Sequence, residues 1–375
     1  MQMARRGVFF LVVVSVAAAR LTEEIGRHGL PPMVDAETTA TDSQVADEWL
    51  VSSKLTEEEF LRRHRGQFPL VGGGEEAREG ADESLPLLSF DPPPKREGTA
   101  QLPVAVNHGM GDSCFNFGMK QITRLIGNAL GVYAACIPTG DTRIRDTLNG
   151  FLMTMDDNVD VFAAKVRGDA KFAGGFNCVG FSQGNSICRG YIHRYNDPPV
   201  RNFLSVHGTV SGVAGFPNCD PAAVPACRDV ARLCGELAYT EKTQNLLFQI
   251  DYYRDPFRVH SDAYKTHSQL ARWNNEGWDF NQTYKDNFVS VQRFIMIKAM
   301  QDSMVFPNEG EHWGHYKDDT LTDVLIMQDT DWYQSDLFGL KTVDLQGKLV
   351  FNTTAGDHLQ FDDDELVWWV TNYFV

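Results

Sequence analysis

The chain has 375 residues, 43% of them hydrophobic, and a formal net charge of -16. A chain of this size buries one large core or two modest ones. Its acidity excludes nucleic acid as a partner, because too few cations are present to displace counterions from a polyanion. Charge alone assigns no compartment.

Arg5-Arg6 precede an apolar run from Gly7 to Ala19 that ends in Ala17-Ala18-Ala19. A positive start, a short apolar stretch and a small-residue cleavage site read as a secretory signal peptide over 1–19; the other reading is an uncleaved anchor. The run falls short of the roughly 20 helical residues needed to cross a bilayer, and no later segment is long and apolar enough. The expectation is therefore no integral membrane span after signal removal.

Residues 20–98 are acidic and poor in strand-like alternation. Thr56 to Glu59 has the capping-box pattern, and Arg62-Arg63-His64-Arg65 suits a helix C-terminus, which predicts one short helix from Trp49 to His64. Gly72-Gly73-Gly74 and Pro92-Pro93-Pro94 read as linker. This extension reads as partly disordered or removable, with a pro-region or a partner-binding arm as the alternative.

After Leu102 strands and helices alternate, which predicts an α/β domain over 99–375 with a mostly parallel central sheet and helices on both faces. The expected strands are Pro103–Val106, Val132–Ile137, Phe176–Phe181, Phe203–Val206, Phe294–Ile297 and Leu349–Phe351. Between Asp251 and Asn287 the pattern breaks, and aromatic residues among polar ones predict a helical insertion at about 215–290. Such helices either cover a substrate groove or are packing.

Gly180-Phe181-Ser182-Gln183-Gly184 is a G-x-S-x-G pentapeptide between a strand pattern and a helix pattern. A serine on that sharp turn is held out of the sheet as a nucleophile, and the two glycines relieve crowding between helix and strand. The amide of Gln183, at the helix start, is free to bind an oxyanion. A second amide is needed near the end of the first core strand, and Met110 in Asn107-His108-Gly109-Met110-Gly111 fills that place.

A serine hydroxyl needs a base, and the base needs a carboxylate to fix its tautomer. In this strand–helix order the acid and then the histidine follow the serine, each past the end of a strand. His358 follows Leu349–Phe351, and Asp302 follows Phe294–Ile297. Asp357 is the alternative acid, disfavoured because neighbours in a loop seldom point side chains at one another. His193, His207, His260, His267, His312 and His315 are the other histidines after the serine. Of these only His207 also follows a strand, and because it precedes the acid it reads as a pocket-wall or structural residue.

Seven cysteines without a C-x-x-C pair make neither a disulfide scaffold nor a metal framework. Cys219 and Cys227 flank a short proline-rich loop and are the candidate disulfide. Cys178 and Cys188 read as small buried hydrophobes; Cys114, Cys136 and Cys234 stay unassigned. Asn281 and Asn352 open N-glycosylation sequons. Nothing in the pattern calls for a metal or an organic cofactor.

The stretches NHGMGDSC (Asn107–Cys114), GFSQG (Gly180–Gly184), QDSM (Gln301–Met304) and GDHLQF (Gly356–Phe361) occur in this order, with Asp255-Pro256, His267-Ser268 and Tyr333–Leu340 between or beside them. From Leu102 onward the chain resembles the lysosomal palmitoyl-protein thioesterases. The resemblance implies an α/β-hydrolase fold and cleavage of fatty acyl groups from cysteine thioesters by Ser182, His358 and Asp302, with Met110 and Gln183 as amide donors. S-acylated proteins or peptides and acyl-CoA would be substrates, in the lysosome, the endolysosome or outside the cell. The resemblance also supports the Cys219–Cys227 bridge. Cytosolic acyl-protein thioesterases share the GFSQG elbow but lack a signal peptide. An esterase or lipase acting on oxygen esters and a non-catalytic lipid-binding hydrolase fold are the rival readings. Departures are the N-terminal extension, Gln301 where a glycosylated asparagine often precedes the acid, Phe306 in place of a second aspartate, and His207 where glycine is usual. A side chain as large as His207 is expected to narrow acyl access.

Overall fold

Strands in which nearly every residue is buried belong inside a parallel sheet covered on both faces, and they are the centre of this molecule. The computed structural model describes residues 89–90 and 102–374. The expected signal peptide over 1–19 and the expected helix from Trp49 to His64 lie outside the described residues, as does all of the extension except 89–90. Strands β1 (Ser89–Phe90), β2 (Val104–Asn107), β3 (Ala134–Cys136), β4 (Phe176–Phe181), β5 (Val200–Val206), β6 (Arg293–Ala299) and β9 (Leu349–Thr354) form one sheet in the order β1-β3-β2-β4-β5-β6-β9. All neighbours run parallel except β1, which pairs antiparallel with β3. The expected α/β-hydrolase architecture is what the chain adopts, and each core strand falls where the sequence places it. The sheet also takes β1 from ahead of the boundary drawn at 99.

Alternation along the strands fills two layers. Phe176 and Cys178 of β4 with Phe294 and Met296 of β6 face one layer; Val179, Phe181, Ile295 and Ile297 face the other. Helices α3 (Met155–Gly168) and α4 (Gly184–Arg194) cover the first face through Val159, Phe162, Ile187 and Tyr191. The second face is covered by α1 (Phe117–Leu130) and α12 (Asp363–Tyr373) through Met119, Ile126, Leu366, Trp369 and Val370. Helix ends follow the local sequence. Thr142 caps α2 (Arg143–Leu152), Thr154 caps α3, and Asp362 with Glu365 forms a capping box on α12, so orphan N–H groups are met at each start.

The insertion between β5 and β6 consists of α5 (Pro225–Ala238), α6 (Phe248–Asp251), α7 (Asp262–His267), α8 (Gln269–Trp273) and α9 (Gln282–Ser290). Its aromatic residues serve mainly as packing. Tyr252, Tyr253, Tyr264, Trp273 and Phe288 are buried in the same cluster as α3 and α4, while Trp278 and Phe280 are exposed. Between β6 and β9 lie a hairpin, β7 (His315–Tyr316) with β8 (Val324–Leu325), and the short helices α10 (Asp331–Gln334) and α11 (Leu340–Leu345).

Three disulfides link Cys114 to Cys136, Cys178 to Cys188, and Cys219 to Cys227, with Cys234 left as a thiol. The expectation for Cys178 and Cys188 is corrected. Both positions are buried, as expected, but β4 and α4 run back alongside each other across the turn at Ser182, which brings the two sulfurs together.

Candidate active site

Ser182 follows β4 directly and has a φ of 54°, the left-handed conformation that a sharp strand-to-helix turn demands. The flanking glycines are required by contact. A Cβ on Gly184 would lie 2.5 Å from the Asn107 carbonyl oxygen and 2.6 Å from that of His108; one on Gly180 would lie 2.7 Å from Asn185 Cα. The turn is tied down from β5. Ser182 N–H donates to Val206 O at 3.0 Å, and Asn185 Nδ2 donates to the carbonyl oxygens of both Ser182 and Val206 at 3.0 Å.

Ser182 Oγ lies 2.8 Å from His358 Nε2, and His358 Nδ1 lies 2.5 Å from Asp302 Oδ2. A carboxylate only accepts, so Nδ1 carries the proton and Nε2 is free to accept the serine O–H. Asp302 Oδ1 accepts the N–H groups of Met304 and Val305, both at 2.7 Å. Burial pushes the Asp302 carboxyl up, but the hydrogen bond and charge of His358, with further hydrogen bonds from Glu311 and Val305, hold it below its usual value. Three residues that the sequence places on three separate loops thus meet in one chain of hydrogen bonds.

Asp357, the alternative acid, points elsewhere. Its Oδ1 accepts from the backbone of Ser303 at 2.8 Å and of His358 at 2.6 Å, and its Oδ2 accepts from Ser303 Oγ at 2.9 Å. It fastens the histidine loop to the acid loop. Gln301 adds a second tie, its side chain reaching Ala355 O at 2.8 Å and its N–H reaching Gly356 O at 3.1 Å.

His207 is wholly buried. Leu359 N–H donates to its Nδ1 at 2.8 Å, which leaves the proton on Nε2, 2.9 Å from Thr354 Oγ1. Its backbone is left-handed, with a φ of 48°. Burial, followed by the nearby charge of His358, lowers its pKa to about 3.

The amide-donor candidates flank the serine. A Cβ on Gly109 would lie 3.0 Å from Ser182 Cβ, so the backbone entering Met110 runs beside the nucleophile. The Gln183 side chain is immobilised by Gly150 O at 2.8 Å, Gln249 Nε2 at 2.6 Å and Tyr252 OH at 3.1 Å, the last two from the insertion.

Sequence reasoning missed the support under the Met110 loop. Asp146, fully buried in α2, accepts from Ser113 Oγ at 2.8 Å and from the N–H groups of Cys114, Thr139 and Gly140 at 2.9, 2.7 and 3.2 Å. His108 places Nε2 3.2 Å from Asp146 and Nδ1 2.9 Å from Gly109 O, so both ring nitrogens face acceptors. Burial opposes charging His108, but Asp146 outweighs it and raises its pKa. Histidine next to glycine in the 107–111 turn is the signal available in sequence; its acidic partner, far along the chain, gives none.

Of the sequons, Asn281 caps α9 through Oδ1, and Asn352 lies in β9 with Nδ2 donating to Tyr373 OH at 2.9 Å.

The profile of the family described as palmitoyl protein thioesterase matches residues 103–358, a span that contains Ser182 and Asp302 and ends on His358. Palmitoyl-protein thioesterase 1 of Caenorhabditis elegans is 35% identical over 286 residues, covering 76% of this chain and 95% of that protein. The chain belongs to the palmitoyl-protein thioesterase family. Palmitoyl-protein thioesterase 3 of Dictyostelium discoideum is 31% identical over 262 residues, 69% of this chain and 86% of that protein. The lysosomal thioesterase PPT2 of Mus musculus is 28% identical over 280 residues, 72% of this chain and 86% of that one. Among solved structures, Zea mays acyl-protein thioesterase 2 aligns over 76% of this chain and 98% of its own at 12% identity, with a TM-score of 0.37. As a member of the palmitoyl-protein thioesterase family the chain is a thioester hydrolase.

Proposed function

We propose that this protein hydrolyses long-chain fatty acyl thioesters, those of S-acylated cysteines in proteins or peptides and of acyl-CoA, through an acyl-enzyme on Ser182. His358 removes the serine proton as Oγ attacks the thioester carbonyl, then returns it as the thiolate departs; Asp302 holds the imidazole in the required tautomer. The amides of Met110 and Gln183 receive the oxyanion. Water, activated by the same histidine, then releases the fatty acid. The observation that carries this reading is the continuous chain from Ser182 Oγ to His358 at 2.8 Å and on to Asp302 at 2.5 Å.

Three disulfides among the described residues suit an oxidising compartment, and relatives named as lysosomal suit the same route, so we place the protein in the secretory pathway with the endolysosome or the exterior as destination. Among the described residues no helix is long and apolar enough to cross a membrane. Purified protein and Ser182→Ala should be compared on palmitoyl-CoA, a palmitoylated cysteine peptide and the matched oxygen ester. The expected result is faster turnover of the sulfur esters and a loss of about 10⁴-fold or more in the variant. Equal rates for the two proteins would sink the assignment of the nucleophile, and preference for the oxygen ester would make the protein an esterase.

A further inference from the structure

Behind the acid of the site lies a second carboxyl group. Glu311, in the 3₁₀ turn Asn308–His312 that follows β6, has no solvent exposure. Its Oε2 accepts Ala299 N–H at 2.9 Å. Its Oε1 is buried and meets no N–H or O–H donor, and the Asp302 carboxylate is the charge that bears on it most.

Two carboxyl groups make a hydrogen bond only if one of them carries a proton. Asp302 accepts three other donors, the N–H groups of Met304 and Val305 and His358 Nδ1, each of which favours its charged form. Glu311 accepts a single backbone N–H. The proton therefore rests on Glu311. We propose that Glu311 is a neutral carboxylic acid that donates a fourth hydrogen bond to Asp302, a positioning residue that tempers how strongly the acid grips protonated His358. The inference rests on the catalytic reading of Ser182, His358 and Asp302.

The surroundings agree. Burial, then the negative charge of Asp302 and the hydrogen bond to it, push Glu311 well above its usual range, against the Ala299 N–H and Lys298. Lys298, the cation facing it from β6, is paired with Glu309 at 2.6 Å. From the loops around the site, His207 contributes a neutral ring 5.9 Å from that of His358, and Asp357 is turned to Ser303 and the His358 backbone. During turnover the Glu311 proton stays in place; the serine proton moves to His358 and on to the leaving thiolate, and in deacylation a water proton passes through the same ring to Ser182. Spreading the Asp302 charge over four donors weakens its hold on the imidazolium that forms in turnover, and the acid limb of kcat/KM reads that hold.

The test compares wild type, Glu311→Gln and Glu311→Leu by the pH dependence of kcat/KM on palmitoyl-CoA and by infrared difference spectra. Gln offers Asp302 an N–H and offers Ala299 an oxygen, so its acid limb should stay where the wild-type limb lies. Leu removes the donor, and its acid limb should move to higher pH by about one unit. A protonated-carboxyl band in wild type at neutral pH should vanish in Glu311→Gln. An absent band, or an acid limb that moves with Gln as it does with Leu or that stays put in Leu, overturns the proposal. If Glu311→Leu does not fold, the band and the Gln limb still decide. Ser182→Ala keeps the two readings apart: activity surviving there defeats the catalytic reading, whereas the band needs no turnover and bears on Glu311 alone.

Discussion

Ser182 sits at a turn where two glycines leave no room for a Cβ, whereas His358 sits on a loop fastened by side-chain hydrogen bonds to Asp357 and His207. The nucleophile is placed by exclusion of volume, by a disulfide that joins the strand before it to the helix after it, and by hydrogen bonds among backbone and amide groups that do not titrate. The base and its acid are placed by groups that accept and donate protons. The difference teaches that damage to the elbow should be severe and nearly independent of pH, while damage to the histidine loop should be graded and should carry a pH signature.

The largest effect expected on the polar side is Asp302→Asn, which keeps the shape but stabilises the wrong imidazole tautomer; kcat should fall by about 10⁴-fold. Steady-state rates on a palmitoylated peptide check it, and a loss below tenfold would mean that another group orients His358. On the steric side, Gly184→Ala forces a methyl against two carbonyl oxygens, at a cost of about 3 kcal/mol or more. Denaturant unfolding measures that cost, and whatever activity remains should keep the wild-type pH profile. A changed profile would erase the contrast between the two regions.

The smallest effect should come from His207→Leu, which fills the space but removes the acceptor for Leu359 N–H; kcat/KM should drop about tenfold. Its pH signature follows from proton counting. His207 stays neutral in the fold, with a pKa of about 3 against 6.5 for a free histidine. The unfolded chain therefore takes up a proton that the fold does not between those values. The stability tied to this residue is complete above about 6.5 and is lost as pH falls towards about 3, by up to about 1.4 kcal/mol per pH unit. Unfolding measured at several acidic pH values should show that slope reduced in the variant. An unchanged slope would show that the buried His207 is not the residue responsible.

Legibility divides along the same line. The elbow, the strand ends and the order serine, acid, histidine are local patterns, and residues 176–181 read as a strand are β4 to the residue. Partners separated by a long stretch of chain left no mark. Asp146 looks like any acidic residue in the first turn of a helix, yet it collects the loop under Met110. Glu311 stands in the polar run Asn308 to His312, where nothing in the sequence marks it, and only the fold reveals its burial. Cys178 and Cys188 were legible as core positions, but their bond depends on how closely a helix returns along the strand that precedes it. His207 was legible as near the site; that its ring pairs with Leu359 N–H and Thr354 Oγ1, 152 and 147 residues further along the chain, is a long-range contact that sequence does not display.

The short antiparallel pairing of Ser89–Phe90 with Ala134–Ala135 occupies one outer margin of the sheet. Proteolytic trimming that stops short of Ser89 leaves that margin sealed, whereas trimming past Phe90 bares unpaired N–H and C=O groups on β3, the kind of edge that recruits a strand from another chain. A cut in the segment ahead of the sheet would therefore have a safe limit, and material shortened beyond it should self-associate.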